Sequence, residues 1–326
     1  MKRLKLIGTC LLVCGAISTH AYAWEPVKPI QLIVGFSAGG GTDVIARAIA
    51  AGAKDVMPQP IVVVNRPGAS GVIAADQVAR AEPDGYTLLV AGGSESTSLP
   101  NHQKVPYDLA KDFRPVAHVI RLRTMMAVKG DSSIKTFADL VAYAKANPGK
   151  LSYGTSGVGS LTHSMMLMVN KAVGIDTFHV PYKGDADVMT ALLGDQIQIA
   201  LGSPDQLKPW IDSGKMTPLT LSSNDRYPGL PNVPTLKELG YDIYLENMKG
   251  IVAPAGLPDD IYAYLNEHLR QAMQTQAFKT AVQRSNFEVQ YMNGPTFGEA
   301  MRKMSNGIAA ALSSSATDKP LAAVTK

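Results

Sequence analysis

The chain has 326 residues, of which 46% are hydrophobic and 18% charged, and its formal net charge is +4. This length allows a buried core without disulfides and suggests two domains. The basic residues are scattered rather than clustered, which argues against nucleic-acid binding.

Residues 1–23 have the pattern of a secretory signal peptide. A basic start precedes an apolar run that is too short to span a membrane, and the segment ends in Ala21-Tyr22-Ala23. We therefore predict export and cleavage after Ala23. Both cysteines, Cys10 and Cys14, lie in this segment, so the mature chain has no thiol for a disulfide, a metal or a nucleophile.

A glycine-rich loop joins the first predicted strand to the first predicted helix. The strand covers residues 30–34, the loop runs from Phe36 to Asp43, and the helix continues from Val44. Glycine leaves backbone N–H groups open to a ligand, and a helix N-terminus adds unpaired donors and a partial positive charge. An ordinary glycine-containing turn is the alternative, but together these features predict a seat for an anion.

Predicted strands and helices alternate along the next part of the chain. Residues 61–64 and 86–90 have strand patterns, with a helical pattern at 71–80 between them, and Gly92-Gly93-Ser94 follows as another small-residue loop. This βαβαβ order predicts an α/β fold with mostly parallel sheets and helices on both faces. Such sheets bind ligands outside the carboxyl ends of their strands, where both glycine loops lie.

A second cycle repeats the same pattern. A strand is predicted at 125–128 and a helix at 134–146, and Tyr153-Gly154 then leads through a loop from Thr155 to Ser160 into another helix. Two such loops facing each other would clamp an anion between two lobes. Further predictions are strands at 176–182 and 196–201, re-entry into the first sheet at 249–253, an amphipathic helix at 259–273 and a disordered tail at 313–326.

The motifs that would indicate catalysis are incomplete. Residues 154–158 nearly match the G-x-S-x-G nucleophile elbow, but Val158 stands where the motif has its second glycine. The loop at 35–41 is neither a dinucleotide fingerprint nor a Walker loop, and the histidines lack metal-binding spacing. We therefore predict no enzyme activity, no cofactor and no metal site, with a periplasmic hydrolase as the alternative.

A series of short motifs runs in order through nearly the whole mature chain. It comprises the loop from Phe36 to Asp43, Asn65-Arg66-Pro67-Gly68-Ala69, Pro83-Asp84-Gly85-Tyr86-Thr87-Leu88, Pro106-Tyr107-Asp108, Tyr153-Gly154-Thr155-Ser156-Gly157, His179-Val180-Pro181-Tyr182-Lys183-Gly184, Pro231-Asn232-Val233-Pro234-Thr235 and Ala253-Pro254-Ala255-Gly256. The series resembles the Bug-type periplasmic solute receptors of tripartite tricarboxylate transporters.

This resemblance implies a two-lobed, type II-like periplasmic-binding-protein fold with a two-strand hinge. Lobe 1 would comprise residues 24–122 and 246–312, and lobe 2 residues 123–245. The implied protein is a periplasmic monomer that captures a small organic carboxylate between the lobes and delivers it to the membrane subunits of a transporter. A receptor that presents its ligand to a membrane sensor kinase is the alternative.

The resemblance also implies which residues bind the ligand. The two glycine-containing loops would grip carboxylates, and the segment from Pro181 to Gly184 would close over them. The candidate ligand-binding residues are Phe36, Ser37, Ala38, Gly39, Gly40, Gly41, Thr42, Asp43, Ser94, Thr155, Ser156, Gly157, Ser160, His163, Pro181, Tyr182, Lys183, Gly184, Ser203 and Asp205.

Three departures from the family pattern bear on the choice of ligand. Ala38 stands where the family usually has proline, Met248 stands where an aromatic residue is common, and the loop from Ser94 to Thr97 brings Glu95 near the expected cleft. Citrate-like tricarboxylates, C4–C6 dicarboxylates, amino acids and aromatic carboxylates all stay open as ligands.

Overall fold

The computed structural model describes residues 24–182, 185–283 and 287–313. The strands are β1 (Ile30–Val34), β2 (Ile61–Asn65), β3 (Thr87–Ala91), β4 (Phe113–Arg123), β5 (Met125–Lys129), β6 (Ser152–Thr155), β7 (Phe178–Pro181), β8 (Ile199–Gly202), β9 (Met216–Leu221), β10 (Glu246–Pro254) and β11 (Glu288–Asn293). The helices are α1 (Gly41–Ala53), α2 (Val72–Ala79), α3 (Leu99–His102), α4 (Phe137–Ala146), α5 (Leu161–Val173), α6 (Asp185–Leu193), α7 (Pro204–Asp212), α8 (Asp259–Ala272), α9 (Gln276–Gln283) and α10 (Gly294–Leu312).

The strands form two separate sheets, which confirms the predicted α/β architecture. The first sheet has the order β11-β4-β10-β3-β1-β2, and the second has the order β7-β6-β8-β5-β9. Strand β1 pairs in parallel with β2 and β3, and β6 pairs in parallel with β7 and β8, as the alternating pattern predicts.

Both sheets are mixed rather than mostly parallel, which corrects the expected strand arrangement. Strand β10 is antiparallel to β3 and β4, β11 is antiparallel to β4, and β5 is antiparallel to β8 and β9. The connection between the sheets explains the β4–β10 pair. Strand β4 carries the chain out of the first sheet and β10 brings it back beside β4, so the two strands must run in opposite directions.

Two adjacent strands carry the chain between the sheets. Strand β4 ends at Arg123 and β5 begins at Met125, so one residue separates the two sheets on the outward path. The return path enters β10, which pairs with β4 from Glu246 opposite Arg123 to Pro254 opposite Phe113. The lobe boundaries at residues 122 and 246 stay a prediction.

A cluster of ion pairs ties the two connecting strands together at this crossing. Arg121 Nε donates to both carboxylate oxygens of Glu246, at 2.8 and 2.9 Å. Arg123 Nη2 donates to Asp225 at 2.7 Å, and Tyr244 donates its hydroxyl to Glu246 at 2.9 Å. The arginine and glutamate side chains of this cluster are buried, so the crossing is held by charges that have little access to water.

Apolar residues fill both faces of the first sheet. Helices α1, α8 and α9 pack together on one face. On the other face the core extends from α2 through α10 to α5 of the second sheet. Met165 and Met166 of α5 are fully buried there, and Met301 and Met304 of α10 belong to the same cluster.

The described ranges contain no helix that is both long and apolar enough to cross a membrane. The predicted signal peptide and residues 314–326 of the predicted tail lie outside the described residues.

Candidate functional site

A cavity of about 320 Å³ lies where elements of the two sheets meet. The carboxyl ends of β6 and β8 and the start of α1 open onto it, which is where α/β sheets bind ligands. Its lining comprises Gly41, Thr42, Ser94, Leu122, Arg123, Thr124, Ser156, Leu161, Thr162, Asp185, Gly202, Ser203, Asp205, Gln206, Asn247, Lys249 and Phe287. A larger cavity of about 740 Å³ lies between residues 104–115 and helix α10, and none of the predicted site residues borders it.

The first glycine loop folds around a buried carboxylate. Asp43 is 1% exposed, and it accepts hydrogen bonds from the Gly39 amide at 2.8 Å, from Arg47 Nε at 2.8 Å and from Asn65 Nδ2 at 2.9 Å. Burial works against the charged form, but these bonds outweigh it and hold the pKa of Asp43 below its ordinary value. Asp43 therefore holds the loop in place and does not border the cavity.

The backbone amides of Gly39 and Gly40, which the glycine-rich pattern predicts to be open to a ligand, are used within the loop. The Gly39 amide is used by Asp43, and the Gly40 amide donates to the Ser37 carbonyl at 3.3 Å. Residues 36–40 do not border the cavity, whereas Gly41 and Thr42 do. These are the first two residues of α1, where backbone N–H groups have no acceptor within the helix.

The second predicted loop contributes Ser156 and the start of α5. Ser156 borders the cavity and hydrogen-bonds to Asp185, the first residue of α6. Burial raises the pKa of Asp185, and the bond from Ser156 only partly opposes this. Ser160 caps α5, because its hydroxyl accepts the His163 amide at 3.2 Å, and it is Leu161 and Thr162 that reach the cavity.

His163 lies behind this loop rather than in the cavity. Its ring stacks on His179 with centroids 4.1 Å apart, and its Nδ1 accepts the Gly159 amide at 3.2 Å. Burial lowers the pKa of His163 to about 3, with smaller contributions from His179 and His102. Thr155 also supports the loop, since its hydroxyl lies 2.7 Å from His179 Nε2 and donates to the Gly157 carbonyl at 3.1 Å.

The end of β7 reaches the same neighbourhood but does not border the cavity. Pro181 is exposed, and Tyr182 is half-buried with its amide donating to the Thr155 carbonyl at 2.8 Å. Lys183 and Gly184 lie outside the described residues. The closing role of this segment stays a prediction.

Helix α7 brings Ser203 and Asp205 to the cavity. The Ser203 hydroxyl accepts the Gln206 amide at 3.4 Å, so this serine caps the helix. Asp205 accepts a hydrogen bond from the Tyr227 hydroxyl. Burial raises the pKa of Asp205 despite that bond, and burial together with Asp205 raises the pKa of Tyr227 to about 12.

Four helices thus begin at one cavity: α1, α5, α6 and α7 each have a residue from the first turn or the cap in its lining. The positive ends of their dipoles all point toward the same space, which favours an anionic ligand. Within the described ranges no group of three histidine, cysteine or acidic side chains is arranged to hold a metal ion.

The model of the tripartite tricarboxylate transporter family receptor matches residues 45–307. The chain belongs to this family. A relative from Cupriavidus necator, described as an UPF0065 protein in the gbd 5' region, is 35% identical over 293 residues, which cover 90% of this chain and 89% of the relative. The protein BugT from Bordetella pertussis is 32% identical over 277 residues, which cover 84% and 85% of the two chains.

Three solved structures share the fold of this chain. A TctC solute-binding protein from Polaromonas is 30% identical with a TM-score of 0.79, and the match covers 88% of this chain and 99% of that one. An R. palustris protein solved with adipate is 27% identical with a TM-score of 0.73, covering 88% and 98%. MatC from Rhodopseudomonas palustris with bound malate is 26% identical with a TM-score of 0.73, covering 88% and 99%. The two-lobed fold and the predicted Bug-type family are confirmed.

Arg123, Asn247 and Lys249 line the cavity but were not among the residues predicted from the sequence to bind the ligand. Arg123, Asn247 and Lys249 lie on or beside the two connecting strands, about 125 positions apart along the chain. Arg123 and Lys249 are buried charges, 4% and 3% exposed. The one available hint was that Lys249 begins a segment expected to re-enter the first sheet, and a strand that returns at a hinge passes the cleft.

Proposed function

We propose that this chain is a periplasmic receptor that binds a small organic carboxylate in the 320 Å³ cavity and delivers it to the membrane subunits of a tripartite tricarboxylate transporter. The observation that carries the proposal is the convergence of four helix starts from both sheets on one cavity. Relatives of the same fold solved with adipate and with malate support the ligand class. A receptor releases its ligand unchanged, so we propose no catalytic role.

Within this proposal the residues have different roles. Gly41, Thr42 and Ser156 would contact the carboxylate, because each borders the cavity and presents a backbone or side-chain donor. Asp43, Ser160 and His163 would hold the two loops in place through the hydrogen bonds described above.

A thermal-shift screen over di- and tricarboxylates, amino acids and aromatic acids tests the proposal. A ligand present at 100 times its dissociation constant should stabilise the folded protein by about 2.7 kcal/mol, which raises the melting temperature measurably. Chromatography of the ligand recovered from the protein distinguishes a receptor, which releases the compound unchanged, from an enzyme, which converts it. A panel in which no carboxylate raises the melting temperature, or a ligand recovered as a different compound, would contradict the proposal.

Delivery to the transporter needs its own experiment. Membrane vesicles that contain the membrane subunits should take up the labelled acid only when the purified receptor is added. Uptake at the same rate without the receptor would contradict the proposed role in transport, although it would not contradict ligand binding.

A further inference from the structure

Two aspartates belong to the lining of the 320 Å³ cavity, and both lie on its second-sheet side. Asp185 is the first residue of α6, and Asp205 is the second residue of α7. On the first-sheet side the described lining residues include no acid, but they include Lys249, a cation that is 3% exposed. The two walls of the cavity therefore differ in charge.

Neither aspartate forms an ion pair with a cation of the described residues. Asp185 accepts a hydrogen bond from Ser156, and Asp205 accepts one from the Tyr227 hydroxyl. Arg123, the second cation of the lining, donates instead to the ion-pair cluster at the crossing between the sheets. Because a carboxylate can accept about four hydrogen bonds, both aspartates keep acceptor capacity in the wall of the cavity.

The four helix starts at the cavity divide in the same way. Helices α6 and α7 each carry an aspartate in the first turn, which offsets the positive end of the helix dipole. Helix α5 has no acid in its first turn, and the acid of α1 is Asp43, which accepts a hydrogen bond from Arg47 and does not border the cavity. The starts of α1 and α5 are thus the ones left to attract an anion.

Lys249 adds to this positive side. Its side chain is buried in the lining, and no carboxylate of the described residues forms an ion pair with it. Buried charges in proteins are nearly always paired, because an isolated charge loses its hydration without compensation. A ligand carboxylate near Lys249 would supply the missing negative charge.

We propose that the cavity binds an amino acid, with the ligand carboxylate toward Lys249 and the starts of α1 and α5 and the ligand ammonium group against Asp185 and Asp205. This inference rests on the carboxylate receptor proposed above and narrows its ligand class from organic acids to acids that carry an ammonium group.

The two aspartates discriminate in both directions. An ammonium group brings several hydrogen-bond donors and a positive charge to carboxylates that have no cationic partner. An acid without this group brings a further negative charge into a cavity that already holds two, and it leaves their acceptors without a donor. A hydroxyl supplies a donor but no charge, so a hydroxy acid should resemble the unsubstituted acid more than the amino acid.

Calorimetry at about neutral pH with matched compounds tests the inference. The sets are succinate, malate and aspartate; glutarate and glutamate; adipate and 2-aminoadipate; hexanoate and 6-aminohexanoate; and 3-phenylpropanoate and phenylalanine. In the set that fits the cavity, the amino compound should bind at least about tenfold more tightly than its parent, the effect of a hydrogen bond between charged groups. If that set contains malate, its affinity should lie nearer to succinate than to aspartate.

Three variants separate the two sides of the cavity. Asp185→Asn and Asp205→Asn keep the shape of the side chain and remove one charge each, so each should lower the preference for the amino compound. Lys249→Met should weaken the amino compound and its parent by the same factor. Asp187→Asn is the matched control, because it also removes an acid from the first turn of α6, but at an exposed position outside the lining; it should change neither affinity.

The possible outcomes are distinct. Acids that bind the unmodified protein as tightly as their amino counterparts overturn this inference and leave the receptor proposal standing. A preference that is unchanged in Asp185→Asn and in Asp205→Asn also overturns it, because the aspartates then serve only the starts of their own helices; if one variant does not fold, the other decides. Binding of no member of any set overturns the receptor proposal and this inference with it.

Discussion

Lowering the pH from about 8 to about 5 should destabilise the folded protein through two buried histidines. His163 is 7% exposed and stacks on His179, and burial lowers its pKa to about 3. His118 is fully buried on β4 beside Phe297, with ring centroids 5.3 Å apart, and burial lowers its pKa to about 4. Both are therefore neutral in the folded protein throughout this range.

The size of the effect follows from the difference between the folded and unfolded pKa values. The unfolded chain binds a proton at each histidine below its ordinary pKa of 6.5, whereas the folded chain does not. Stability is thus complete above pH 6.5 and is lost as the pH falls. At about pH 5 the loss is about 2 kcal/mol per histidine and about 4 kcal/mol for both. Total stabilities are about 5–15 kcal/mol, so this is a large share.

Urea unfolding at several pH values between about 8 and 5 measures the effect. The free energy of unfolding should fall steadily below pH 6.5, and His163→Gln should remove about half of that fall. A free energy that stays constant to within about 1 kcal/mol over this range would refute the reasoning, since each histidine alone predicts more than that.

Four further predictions concern binding, processing and shape. Gly41→Val should weaken ligand binding at least tenfold in calorimetry while the circular dichroism spectrum is unchanged, because the new side chain occupies the lining; unchanged affinity would move the seat away from α1. Ser156→Ala should weaken binding roughly tenfold in calorimetry, whereas Ser160→Ala should lower the free energy of unfolding by about 1 kcal/mol, because it removes the α5 cap. If Ser160→Ala weakens binding and Ser156→Ala lowers stability, Ser160 rather than Ser156 contacts the ligand. Mass spectrometry of the exported protein should find Trp24 as its first residue, and a retained residue 1 would exclude cleavage. Small-angle scattering should show a smaller radius of gyration at ligand saturation, and an unchanged radius would exclude closure of the two lobes.

Local patterns in the sequence were enough to find the elements that surround the cavity. The β-branched run at residues 30–34 and the glycines that follow it identify the β1–α1 loop, because strand formation and loop opening both depend on neighbouring residues. The start of α5 was found for the same reason. The sequence could not show which loop amides are free to bind a ligand, because the Gly39 amide donates to the Asp43 carboxylate only once helix α1 has formed.

Contacts between distant segments set the rest of the site. Asn247 and Lys249 reach the cavity only because β10 returns beside β3 and β4. The same return makes the sheets mixed, which the alternating pattern of strands and helices could not indicate. Lining residues that long-range strand pairing brings to the cavity cannot be identified from the spacing of residues along the sequence.

The methionines shared by α5 and α10 bear on how freely the two sheets can change their angle. Methionine is unbranched and changes rotamer at low cost, so a contact made of Met165, Met166, Met301 and Met304 can repack when one helix slides along the other. Valine or isoleucine in the same places would hold one rotamer and resist that sliding. The stiffness of the cleft therefore depends in part on side chains that do not border the ligand cavity.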